Sequence, residues 1–216
     1  MRKLFAKAQD PISCETHALG AVAALGGGLL YLLRGVWTDA AIPAVAAALC
    51  FCLSMAALYA ASAIYHYYPG TAASGGVKRV LRKMDHSMIY VLIAGSYTPI
   101  CFTALRDCGG PALLSLVWAF GLLAKMLWIN APRMLSTAVY LIMGWSVVFV
   151  AKDFTALGQP CLTLVALGGI CYSVGAVFYA VKKPNISAEW TFHELFHLLI
   201  LAGSFFHYLA VYLYVL

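Results

Sequence analysis

Seven long apolar runs joined by short polar links limit what this chain can fold into. A helix that crosses a bilayer needs about 20 consecutive, mostly apolar residues. Of the 216 residues, 63% are hydrophobic and 10% are charged, whereas soluble proteins carry about 25% charged residues. We therefore predict an integral membrane protein. The runs lie near residues 17–34, 40–66, 86–105, 111–129, 134–151, 160–181 and 190–216.

The predicted architecture is all-α, a polytopic bundle of seven transmembrane helices that forms one domain over residues 1–216. Backbone polar groups inside lipid must be satisfied within the chain, so apolar runs of this length are expected to be helices. The basic N-terminal segment MRKLFAK precedes an apolar run that no convincing small-residue cleavage site ends. We therefore expect a retained first span and not a removed signal peptide.

The distribution of basic residues predicts the orientation of the bundle. The net charge is +6, and with a cytoplasmic N-terminus eleven of the fourteen Lys and Arg residues lie in or beside inside segments. Four of them fall between the second and third runs, where we expect a loop. The positive-inside rule then places the C-terminus outside. The basic excess is explained by this topology and by attraction to lipid headgroups. Membrane lipids are the expected partners, and nothing supports nucleic-acid binding.

The last apolar run carries ionisable residues in a segment that lipid would otherwise surround. In WTFHELFHLL, which begins at Trp190, His193 and His197 are four residues apart. Their imidazoles therefore lie on one face of a helix, about one turn apart, which is the spacing of a two-histidine metal clamp. Ionisable groups inside a bilayer are costly and are usually paired or functional.

Two further runs place polar side chains at the same predicted depth. Ser62 and His66 are four residues apart where the second run ends on the inside, and Asp85 directly precedes the third run. Three neutral imidazoles and one oxygen suit tetrahedral Zn²⁺, so we predict that His66, His193 and His197 bind zinc. Water or Asp85 would fill the fourth position. Asp85 would orient or deprotonate the water, and Ser62 would hydrogen-bond it or an oxyanion.

Two alternatives stay open for this group. The same side chains can form a metal-free polar network. The string from His193 to His197 also fits the HExxH pattern of soluble zinc proteases, in which the glutamate is the general base. Glu194 lies about 100° around the helix from His193. In that position Glu194 would hydrogen-bond a ligand residue or pair with a basic loop residue, and would not act as the base. The rest of a soluble protease is absent from the chain.

The other titratable residues have simpler explanations. Glu15 and His17 precede the first run, and we expect them at a solvated helix start, with the mouth of the bundle as the alternative. A lone histidine in a span is usually a hydrogen-bonded packing residue. This is the expectation for His17, His86 and His207.

The seven cysteines show no spacing typical of a metal site. Most fall within or at the edges of the runs, where a thiol behaves as a small apolar side chain. Cys108 and Cys161 would both lie on the outer face, where a disulfide is possible in an oxidising compartment.

With these segments identified, the chain resembles the hemolysin III family. This is the bacterial branch of the progestin and adipoQ receptor (PAQR) family, in the wider superfamily that includes alkaline ceramidases. The resemblance covers nearly the whole chain. Three segments carry it: SAIYH ending at His66, the stretch from Asp85 to Pro99, and HELFH from His193 to His197 with the trailing FHY.

The resemblance implies a seven-helix bundle in a bacterial inner membrane, with a cytoplasmic N-terminus and an intramembrane zinc ion. By residue, it implies that His66, His193 and His197 hold the zinc. It also implies that Asp85 acts through a water molecule and that Ser62 lies in or next to the coordination shell.

Three functions compete at this stage. The first hypothesis is a zinc-dependent intramembrane hydrolase that cleaves a lipid amide or ester, as ceramidases do, and is linked to membrane lipid homeostasis. The second is a non-catalytic protein in which zinc joins helices and the bundle senses or adjusts the state of the membrane. The third is the pore formation implied by the hemolysin name, for which a chain with seven spans and no evident export signal is a poor candidate.

Overall fold

Helices account for all the regular structure of the described residues. The computed structural model describes residues 5–71, 76–127, 132–150 and 154–216. The long helices there are α1 Pro11–Trp37, α2 Ile42–Tyr67, α3 Gly76–Phe102, α4 Gly110–Leu127, α5 Arg133–Trp145, α6 Gln159–Val181 and α7 Phe192–Tyr214. A short helical turn, Val147–Val150, follows α5, and a 3₁₀ turn, Phe154–Leu157, precedes α6. The prediction of an all-α fold with seven helices is confirmed.

The surface of the bundle is that of a membrane protein. The helices α1, α2, α6 and α7 are each long and apolar enough to cross a membrane. A shorter apolar stretch, Gly110–Ala124, lies in α4. Large apolar side chains such as Val22, Leu53 and Met126 point outward, as expected where lipid and not water surrounds the fold. The chain is a multi-pass integral membrane protein.

Close packing brings the start of α1 beside the start of α7. The helices α1, α2 and α3 pack side by side, α6 packs along α7, and α7 returns to α1. A Cβ atom added at Gly20 would lie 2.6 Å from a methyl carbon of Leu201, and one at Gly27 would lie 2.8 Å from the ring of Tyr208. Small residues in α1 therefore allow the close approach to α7.

The third helix begins earlier than predicted. It starts at Gly76 and not near residue 86, so the basic stretch expected in a loop forms its first turns. Hydropathy identifies only the part of a helix that lipid surrounds, and basic residues are compatible with helix beyond that part. The Nζ of Lys78 donates to the carbonyl oxygens of Tyr65, at 2.5 Å, and Tyr68, at 2.6 Å. These bonds satisfy carbonyls at the end of α2 that have no partner within that helix.

The fifth predicted run, 134–151, is interrupted. The helix α5 ends at Trp145, and a turn at Ser146 precedes the next helical residues. The hydroxyl of Tyr97 in α3 lies 2.7 Å from the carbonyl oxygen of Gly144 and accepts from the backbone N–H of Val147 at 3.2 Å. A buried side chain thus replaces helical hydrogen bonds at the break. Residues 128 and 129 of the fourth run and residue 151 of the fifth lie outside the described residues.

The first helix also begins earlier than predicted, at Pro11. Glu15 and His17 therefore belong to α1. A solvated helix start is the wrong expectation for His17, whose side chain is 3% exposed, because α7 covers that face of α1. Cys108 and Cys161 are free thiols, like the other five cysteines.

Candidate metal centre

Three histidines from two helices meet where α2 ends and α7 begins. His66 lies in the last turn of α2, and His193 and His197 lie in the first two turns of α7. The Nε2 atoms of His193 and His66 are 3.2 Å apart. One ligand atom from each of the three residues lies within 4.8 Å of the others. The structure brings together the three residues that the sequence predicted as ligands, and the group is compact enough to hold a metal ion. We call it the three-histidine cluster.

Glu194 caps the N-terminus of α7, the helix that carries His193 and His197. Its Oε2 accepts hydrogen bonds from the backbone N–H of Thr191 at 3.0 Å and from the Thr191 hydroxyl at 2.6 Å. The Thr191 oxygen accepts in turn from the backbone N–H of His193 at 3.2 Å, which completes a capping box. The Oε1 of Glu194 accepts from the hydroxyl of Ser13 in α1 at 3.0 Å. These bonds indicate a structural role for Glu194 and not the role of a general base.

Asp10 holds the imidazole of His66. Its Oδ2 lies 2.9 Å from the Nδ1 of His66, and its backbone N–H donates to the carbonyl oxygen of His66 at 3.1 Å. An ionised carboxylate only accepts hydrogen bonds, so Nδ1 carries the proton and Nε2 presents a lone pair towards His193. The hydrogen bond from His66 keeps the pKa of Asp10 below its ordinary value. Our sequence reasoning missed this contact, because no fixed spacing relates Asp10 to His66.

His17 adds a fourth imidazole beside the cluster. Its ring stacks on that of His197, with centroids 3.8 Å apart and planes inclined by 16°. Within the described part of the chain, neither ring nitrogen of His17 has a hydrogen-bond partner, and neither does the Nδ1 of His197. His17 is therefore a packing residue, but not the hydrogen-bonded one that the sequence predicted.

Ser62 and Asp85 line the cavity that also reaches the three histidines, and its volume is about 980 Å³. Ser62 is buried on α2, one turn before His66. Asp85 lies in the third turn of α3, with its Oδ2 3.7 Å from the Nδ1 of His86. The compact group contains the three histidines and does not include Asp85. The catalytic roles of Ser62 and Asp85 stay predictions.

His86 and His207, the two other histidines considered in the sequence analysis, lie apart from the cluster. The Nδ1 of His86 donates to the carbonyl oxygen of Arg82 at 2.8 Å, which leaves its Nε2 to accept from the Tyr179 hydroxyl at 3.1 Å. The prediction of a hydrogen-bonded packing residue is confirmed for His86. His207 is buried in the middle of α7, and its ring centroid is 5.3 Å from that of Tyr172.

The cluster is compatible with zinc: one pair of its ligand atoms has the separation found in zinc sites, and all three lie within 4.8 Å of one another. Zn–N bonds of about 2.0–2.1 Å in a tetrahedral site place the ligand nitrogens roughly 3.3–3.4 Å apart, and the Nε2 atoms of His66 and His193 are 3.2 Å apart. A carboxylate on the other ring nitrogen, as Asp10 provides, is typical of metal-binding histidines. A proton shared between His66 and His193 would also account for their distance. It would not explain why the third imidazole, that of His197, lies in the same compact group.

Comparison with known proteins matches nearly the whole chain. The family described as Haemolysin-III related matches residues 5–208. The Hemolysin-3 homolog of Bacillus subtilis is 37% identical over 158 residues, which are 71% of this chain and 70% of that protein. Hemolysin-3 of Bacillus cereus is 32% identical over 207 residues, or 93% and 89%. The Adiponectin receptor protein of Drosophila melanogaster is 26% identical over 214 residues, or 89% of this chain and 48% of the receptor.

Proposed function

Because the chain belongs to the hemolysin III family, we propose that it is a zinc-dependent hydrolase that cleaves a lipid amide or ester within the membrane. The observation that carries the proposal is the meeting of His66, His193 and His197 at one end of a large cavity. The bacterial relatives indicate the plasma membrane as its location. Substrates there would enter the protein from the bilayer.

The cavity supports a lipid as the substrate. Its volume of about 980 Å³ lies at the upper end of the range for small-molecule sites. Asp10 and Arg82 line the end near the starts of α1 and α3, whereas Ile100, Leu162 and Val165 line the opposite end. An amphiphile would place its polar linkage near the histidines and its hydrocarbon chain among these apolar residues.

The three histidines, Asp85 and Ser62 each have one task in the proposed reaction. Zinc held by the three histidines would supply a Lewis acid for the carbonyl of the substrate. Asp85 accepts a proton from the attacking water and returns it to the leaving nitrogen or oxygen as the bond from that atom to the carbonyl carbon breaks. The hydroxyl of Ser62 donates a hydrogen bond to the oxyanion that develops on the carbonyl oxygen.

The experiment that tests this proposal measures turnover of lipid amides and esters by the purified protein in lipid nanodiscs. Asp85→Asn should keep its zinc and lose about 10²–10⁴-fold in kcat, because it removes a general base. The matched control is Asp107→Asn, at an exposed position after α3, which should turn over like the wild type. A wild-type protein that binds zinc and cleaves none of the lipids would contradict the proposal.

A non-catalytic role for the metal is the second candidate, and the packing of α2 and α7 favours it. The main neighbours of α2 are α1 and α3, and those of α7 are α6 and α1. A metal bound by His66, His193 and His197 would therefore join two helices that share little backbone contact. On this reading Asp85→Asn leaves function intact, whereas zinc removal destabilises the bundle.

A further inference from the structure

We propose that Asp10 is a positioning residue, which holds His66 in the tautomer and ring orientation that metal binding requires. The inference rests on the proposed zinc site. It concerns a residue in the segment before α1, outside the group that the sequence singled out.

The hydrogen bond between Asp10 and His66 selects the tautomer. A neutral imidazole carries one proton, and the carboxylate oxygen 2.9 Å from Nδ1 stabilises the form with the proton on that nitrogen. The Nε2 of His66 then offers a lone pair at the point where His193 and His197 also present ligand atoms. With the proton on Nε2 instead, His66 could not bind a metal there.

Hydrogen bonds fix the backbone around His66 in addition to its ring. The N–H of Asp10 donates to the carbonyl oxygen of His66 at 3.1 Å, and the Nζ of Lys78 donates to the carbonyl oxygens of Tyr65 and Tyr68 on either side. These bonds close the end of α2. Asp10 thus contacts His66 at two points, one on the ring and one on the backbone.

No other acidic side chain among the described residues makes a hydrogen bond to the cluster. Glu194, the acidic residue closest in sequence to His193, is engaged by Thr191 and Ser13. The side chain of Asp10 is 42% exposed, whereas that of His66 is 3% exposed. Asp10 can therefore remain ionised in contact with water while it binds a buried imidazole.

The position of Asp10 does not depend on its own carboxylate. Apolar contacts among Ala8, Cys14 and Ala63, with Phe5 packed against them, fix the chain on both sides of Asp10. Removing the carboxylate should therefore leave the segment in place, so that Asp10→Ala removes one hydrogen bond without unfolding the N-terminal segment.

Zinc affinity is the first measurement, made by competition with a chromophoric chelator on purified protein. Asp10→Ala should bind zinc about 10–100-fold more weakly than the wild type, the usual effect of losing such a partner. Asp10→Asn should bind with intermediate affinity, because its amide oxygen can still accept from Nδ1. Asp107→Ala, which removes an exposed carboxylate far along the chain, should match the wild type. Thermal unfolding of each variant checks that it is folded.

The tautomer of His66 is the second measurement, and it does not require metal. In ¹⁵N-histidine-labelled, metal-free protein, the His66 signal is identified by its loss in His66→Ala. It should report a proton on Nδ1 in the wild type and a larger Nε2–H population in Asp10→Ala. Equal zinc affinity and an unchanged tautomer in folded Asp10→Ala would overturn the inference. A wild type that binds no zinc overturns the proposed function. The NMR comparison of the wild type with Asp10→Ala then still tests whether Asp10 sets the tautomer of His66.

Discussion

The three-histidine cluster and a second buried polar group, deeper in the bundle, stabilise their side chains by different means. In the second group, which we call the hydroxyl network, the Tyr59 hydroxyl donates to the Ser204 oxygen at 2.5 Å, and Ser204 and Tyr172 share a hydrogen bond at 2.8 Å. A hydroxyl both donates and accepts, so these side chains satisfy one another. Neutral imidazoles that gather their lone pairs at one point cannot do so.

This difference separates a structural polar group from one suited to binding. Both groups bridge α2 and α7, and the hydroxyl network also includes Tyr172 of α6. The hydroxyl network is complete without any ligand, whereas the cluster needs a cation or a proton to offset its facing lone pairs. We therefore expect metal dependence at the cluster only, and changes in the hydroxyl network should affect stability alone.

The largest expected effect is the loss of zinc from a His193→Ala, His197→Ala double variant. Elemental analysis of the purified wild type should give about one zinc per chain, and the double variant should contain almost none, because a single imidazole is left. The control is His207→Ala, which removes a histidine from the same helix and should keep the metal. Zinc retained by the double variant would place the site elsewhere.

A substitution that crowds the hydroxyl network should have the next largest effect. A Cβ atom added at Gly203 would lie 2.6 Å from ring carbons of Tyr172. Gly203→Ala should therefore lower the free energy of unfolding by about 1–3 kcal/mol, as measured by denaturant titration in micelles, and leave zinc affinity unchanged. In the control, Gly26→Ala, the added atom has no neighbour within 4 Å. Weaker zinc binding in Gly203→Ala would show that the two groups are coupled.

Ser204→Ala tests the same network by removing the atom that its two tyrosines share. In a membrane protein the loss of such a hydrogen bond costs about 0.6 kcal/mol on average and up to about 1.7 kcal/mol. The unfolding free energy should fall within that range. Ser115→Ala is the comparison, since that serine bonds only within the exposed face of α4. The expectation fails if Ser204→Ala releases zinc.

Glu194→Gln should have the smallest effect. A capping box accepts glutamine in place of glutamate, so we expect the free energy of unfolding to change by less than about 1 kcal/mol and turnover to stay near the wild-type rate. If Glu194 instead acted as the general base of an HExxH motif, kcat would fall by about 10²–10⁴-fold. A steady-state assay on the substrate of the wild type separates these outcomes.

Much of the fold could be predicted from the sequence, because lipid permits few structures for long apolar runs. The number of helices followed from that constraint, but their ends did not. Basic residues extend α3 beyond the part that hydropathy detects. The break after Trp145 depends on Tyr97, a residue of another helix. Contacts of this kind have no signature in the local sequence.

The sequence by itself determined the helical class of this protein and the end of the bundle at which His66, His193 and His197 lie, since helical periodicity and alternating spans set both. Tertiary structure alone decided which side chains surround them. Asp10 binds His66, His17 stacks on His197, and Glu194 accepts a hydrogen bond from Ser13. The physical reason is that each of these contacts joins segments far apart in the chain, and only the packing of α1 against α2 and α7 brings them within reach.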